Sequence, residues 1–126
     1  MYGFSKKVDY DFESAIEKVT EELQKEGFGI LTEIDVKATM KKKLDIDRPN
    51  YKILGACNPP LANKALLEEI EIGLLLPCNV IVYEKDDNVH VAAIDAKAMF
   101  KVVDRDDIEP IADEVNKKLK NVIENV

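Results

Sequence analysis

Two amphipathic stripes with helical spacing bracket a middle made of short strand-like runs, and that arrangement leaves the chain few architectures. Phe12, Ile16, Val19 and Leu23 recur every three to four residues, which places them on one face of a helix. Ile108, Ile111, Val115, Leu119, Val122 and Ile123 repeat the pattern over about Asp106 to Glu124. Asp9 or Asp11 offers the first helix a carboxylate cap. Gly27 suits the left-handed conformation beyond its last turn. Asp106 and Asp107 sit favourably at the positive end of the second.

Between the stripes, Gly29 to Val36, Tyr51 to Cys57, Cys78 to Glu84 and Val89 to Ile94 read as strands. The last two form a hairpin across Asp86-Asp87-Asn88, residues that tolerate the backbone angles of a tight turn. Met1 to Val8 reads as a further strand, and Ala38 to Leu44 and Pro60 to Ile70 as short helices. Ile72 to Leu76 is apolar throughout, and five residues do not separate helix from buried extended chain. The expected fold is α+β, β-α-β(4)-α. Its sheet is mostly antiparallel, with two main helices on one face and short inserted helices. The face left open requires a cover, either Ile72 to Leu76 or a second subunit.

At 126 residues the chain fits a single domain, 1–126, large enough to fold without disulfide or metal. The net charge of −7 opposes a nucleic-acid partner, which needs clustered cations. Lys37, Lys41, Lys42, Lys43 and Arg48 form one basic cluster. A solvated helix face explains it, and an anion or acidic-partner contact is the alternative. No apolar run reaches the ~18–20 residues that cross a bilayer. The segment MYGFSKKVDYDF lacks an apolar signal core. With two cysteines and no disulfide framework, a reducing cytoplasm is the expected location.

Those two cysteines stand in related settings: YKILGACNPP, Tyr51 to Pro60, and IGLLLPCN, Ile72 to Asn79. Each pairs Cys with Asn beside proline. Cys57 ends a strand just ahead of a helix opening at Pro60, with Asn58 and Pro59 still outside it. Free N–H groups there favour a thiolate or a bound anion. Cys78 begins a strand after Pro77.

Several chemistries remain open at this point. Both thiols can be small buried hydrophobes, with Asn58 and Asn79 satisfying loop backbone. Cys57, Asn58, Cys78 and Asn79 can line a pocket for a small molecule or anion, with Tyr51 and Glu71 at its margin. Cys57 can be a reactive thiol with Cys78 resolving it. A zinc site would need about four ligands, and one histidine, His90, joins the two cysteines. No cofactor is therefore expected. His90 reads as a surface residue of the hairpin and Asp95 as a cap or turn. No nucleophile elbow or phosphate-binding glycine loop is present.

Three segments, Gly27 to Leu44, Tyr51 to Leu66 and Glu71 to Glu84, together with the Ala93-Ile94-Asp95 triplet, resemble the family known as domain of unknown function 302. The resemblance implies a fold like one half of the TATA-binding protein, a homodimer, and no agreed activity. Two features depart from the family pattern. Ala96 stands after Asp95 where the family often has proline, and the stretch Asp45 to Asn50 is longer than the usual form. The expected protein is a cytoplasmic homodimer that binds a small molecule or anion at the two Cys-Asn pairs. The alternatives are a thiol-dependent redox or detoxification enzyme using Cys57 and an interaction protein with no ligand.

Overall fold

The computed structural model describes residues 2–126. Strand β1 (Gly3–Val8) leads into helix α1 (Phe12–Lys25), followed by β2 (Gly29–Asp35), α2 (Val36–Leu44), β3 (Tyr51–Cys57) and α3 (Pro59–Glu68). A 3-10 turn (Ile70–Leu75) joins α3 to β4 (Cys78–Lys85), and β5 (Asn88–Ile94) completes the hairpin. The short helix α4 (Ala96–Phe100) and a 3-10 turn (Lys101–Val103) precede the long α5 (Glu109–Asn125). The expected α+β order holds, and Met1 alone lies outside the described residues.

The five strands form one sheet in the order β1-β5-β4-β3-β2, and every neighbouring pair is antiparallel. Alternation along β4 shows how it divides space. Cys78, Val80 and Val82 are buried beneath the helices, while Asn79, Ile81 and Tyr83 point the other way. Helices α1 and α5 lie side by side on the covered face. Their expected stripes enter the core, with Val19, Leu23 and Leu119 fully buried beside Val80, Val82 and Val91. Packing of two apolar stripes against one sheet face, more than helix propensity, holds this arrangement.

Local chemistry sets most boundaries. Asp11 caps α1 by accepting from the Ser14 N–H at 2.8 Å. At its other end the Gly27 N–H donates to Gln24 O and the Phe28 N–H to Leu23 O, a Schellman stop, with Gly27 at φ +85°. Asp86 and Asp87 both take positive φ, 53° and 64°, making the two-residue turn whose twist matches the strands.

Four details depart from the sequence reading. Pro59 belongs to α3 as its first residue, with Asn58 as the cap. The undecided Ile72 to Leu76 segment is mostly 3-10 helix, pinned by fully buried Ile72. Helix α4 went unforeseen, being too short to show a period. Helix α5 begins at Glu109 rather than near Asp106, because Arg105 pairs with Asp107 (2.6 Å) inside a turn that precedes it.

The open sheet face carries an aromatic ladder. Tyr51, Tyr83 and His90 are cross-strand partners. Their rings stack at 5.6 Å (Tyr51–Tyr83) and 5.0 Å (Tyr83–His90), and the Arg48 guanidinium lies 5.8 Å from the Tyr51 ring centre. Nearer β2 the same face narrows at Gly55. A Cβ there would collide with Thr32 Oγ1 and stand 2.8 Å from the Pro77 ring, so only glycine fits.

Candidate functional site

Where the strand ends near Cys57 and Cys78 meet α3, the helices stand away from the sheet and leave a cavity of about 300 Å³. Phe28 and Leu31 wall it on the β2 side, and Ala56, Cys57 and Cys78 at the sheet. Leu61, Ala62, Ala65 and Leu66 come from α3, Leu76 and Pro77 from the segment before β4, and Phe100, Ile111 and Val115 from α4 and α5. The volume lies at the small end of ligand sites. Asn58 is the one strongly polar side chain among these lining residues.

Asn58 is 8% exposed and already committed. Its Nδ2 donates to the Glu26 carbonyl at the end of α1 (3.1 Å), and its Oδ1 accepts from the Leu61 N–H in α3 (3.4 Å). One side chain thus fastens the C-terminus of one helix to the N-terminus of another. The expected anion cradle at the start of α3 lacks donors for a physical reason. Pro59 and Pro60 have no N–H, Leu61 gives its own to Asn58 Oδ1, and Ala62 gives its own to Asn58 O.

The sequence-named residues separate accordingly. Cys57, Asn58 and Cys78 line the cavity together. Asn79 is exposed and lies opposite Gly55 on the other face, so the two Cys-Asn pairs are not equivalent. Tyr51 belongs to the aromatic ladder, six residues along β3 from Cys57, about 20 Å at strand rise. Glu71 is exposed and borders a separate groove with Leu74 and Val102. Of Leu74, Leu75 and Leu76, the last alone lines the cavity. The walls from Phe28, Leu31, Phe100, Ile111 and Val115 carried no local signal, since each reads as ordinary apolar core.

Both cysteines are free thiols. Burial, with the nearby Cys57 adding to it, pushes the Cys78 thiol up to about 11. Cys57 is half-buried at the cavity wall. No base accompanies it there, because His90 is stacked on Tyr83 in the ladder. Among the described residues no group of three or more His, Cys, Asp and Glu is placed to hold a metal. Asp95 proves to be a cap: it accepts from the Ala98 N–H (3.0 Å) and from Asn116 Nδ2 (2.8 Å), while Asn116 Oδ1 accepts from the Ala96 N–H (2.7 Å). Burial works to raise its carboxyl, but these bonds outweigh it and hold the carboxyl below the usual value.

The raised Cys78 thiol has a measurable consequence. Since the folded state holds its proton more tightly than the unfolded chain, this contribution to stability is complete below about pH 9 and lost as pH rises towards 11. Iodoacetamide at pH 8 is expected to label Cys57 alone, and Cys78 only after denaturation, as read by mass spectrometry.

Fold and cavity together define a small α+β protein with an apolar pocket between a sheet end and its helices. The chain belongs to the family described as domain of unknown function DUF302, whose model matches residues 4–126. An uncharacterized conserved DUF302 protein from Bacillus stearothermophilus is similar to it throughout. The two share 25% identity over 99% of this chain and 98% of that one, with a TM-score of 0.93. No curated protein matches the chain. No helix among the described residues is long and apolar enough to cross a membrane.

Proposed function

We propose that this protein binds a small, predominantly apolar molecule in the cavity beside Cys57 and Cys78, as a cytoplasmic homodimer. The observation carrying this reading is the lining itself: apolar walls with the one amide already engaged on both its atoms. A charged ligand would lose its hydration there without regaining hydrogen bonds. Free thiols support a reducing compartment. The strand and helix order supports the likeness to one half of the TATA-binding protein. Nucleic-acid binding does not come with it, because fold likeness carries no function of its own and the chain is acidic.

A neutral naphthylamine dye tests the reading. The wild-type protein is expected to enhance its fluorescence in the micromolar range, with no competition from sulfate. Ala62→Phe, which fills the cavity from a half-buried position on α3, is expected to weaken binding at least about tenfold. Equal binding by both proteins, or displacement by sulfate, refutes it.

Thiol chemistry at Cys57 is the second reading, favoured by the position of that thiol in the cavity wall. Alkylation no faster than in a denatured control removes it. Dye that shields Cys57 from alkylation joins the two readings at one site.

A further inference from the structure

Strand β2 pairs with β3 along its length, but the register slips once. Ile30 lies opposite Ala56 and Thr32 opposite Gly55, so Leu31 is the extra residue of a β-bulge. Thr32 and Gly55 hold that slip in place, because the Thr32 side chain occupies the space where a Cβ on Gly55 would stand. Strict alternation would have set Leu31 opposite Gly55, on the side of the aromatic ladder. The bulge instead leaves Ile30 packed against the core and puts Leu31 in the cavity wall with Ala56, Leu61 and Ala65.

Leu31 also differs from the rest of that wall. It is 67% exposed, while every other lining residue among those described is buried or half-buried. A side chain that borders the cavity and stands mostly in solvent marks where the two meet. Strand β2 is the last of the sheet, so no further strand closes over Leu31 from outside. A solitary exposed leucine elsewhere on the surface would need no explanation. This one is set by a bulge at the rim of an apolar cavity, and bulges beside functional sites re-aim side chains. We infer that Leu31 forms the mouth of the cavity and selects apolar ligands by their width. The inference rests on the cavity being a ligand site and names the residue that decides which molecules enter it.

Two neutral dyes test it by stopped-flow fluorescence on the full chain: the narrow naphthylamine and a wider aminopyrene. Leu31→Ala is expected to speed aminopyrene association at least about tenfold and naphthylamine association by less than about threefold. Leu31→Trp is expected to slow both. Because Leu31 lies largely in solvent, both variants should melt with the wild type. Equal association rates in all three proteins overturn the inference, and naphthylamine binding by them leaves the cavity reading standing. A Leu31→Ala variant altered in dissociation alone makes Leu31 a plain wall contact and overturns it as well. A wild-type protein that binds neither dye removes the cavity reading and the mouth together.

Discussion

Asn58→Asp is expected to destabilise the protein by about 2–3 kcal/mol, although helix N-caps ordinarily accept either residue equally. The acceptor that caps α3 would survive the change. The donor would not: a carboxylate oxygen would replace Nδ2 against the Glu26 carbonyl, 3.1 Å away and largely out of solvent. Two acceptors then face each other with nothing between them. Asn58→Ala, which removes both groups, is expected to cost no more than Asn58→Asp. Acidification should narrow the deficit of the aspartate variant, because a proton on the introduced carboxyl restores a donor. Thermal or urea unfolding in which Asn58→Asp matches wild type would show that the link between α1 and α3 contributes nothing.

Ile72→Ala should reach further than its place in a short turn suggests. Ile72 is 1% exposed, and it is the buried residue of the 3-10 segment between α3 and β4. Truncation of such a side chain costs about 2–5 kcal/mol, because the surroundings collapse only partly into the space. For a domain of this size that lowers the melting temperature by roughly 10 °C. The loss should also appear in the cavity, since the same segment delivers Leu76 and Pro77 to its wall. Dye affinity should fall with stability in Ile72→Ala and stay constant in a core truncation far from the segment, such as Val89→Ala. Full dye affinity in a destabilised Ile72→Ala would uncouple the turn from the site.

The long elements were legible because their signals are periodic. The stripes of α1 and α5 and the alternation of β4 and β5 each repeat often enough to name a face. Short elements had no such signal. Helix α4 has five residues, and the Ile70–Leu75 turn is set by one anchor, Ile72, that any apolar residue nearby resembles. At the site, sequence located the junction through Cys57, Asn58 and Cys78, which line one cavity, but also drew in residues that lie elsewhere. The doubled Cys-Asn pattern suggested two equivalent asparagines, yet strand alternation turns Asn79 to the opposite face. The two prolines that marked the helix start also removed the N–H groups that an anion would have needed. Tyr51 and Glu71 were drawn in by closeness along the chain, and β3 alone carries Tyr51 about 20 Å away.

The ladder on the open face has a practical consequence. The chain has no tryptophan and four tyrosines, of which Tyr2 and Tyr10 are solvent-exposed while Tyr51 and Tyr83 stack at 5.6 Å. The asymmetric tyrosine signal in its near-ultraviolet spectrum therefore comes chiefly from one pair of rings in the middle of the sheet. The molecule carries a native optical label there, about 20 Å along β3 from Cys57, that follows the strands without any dye attached.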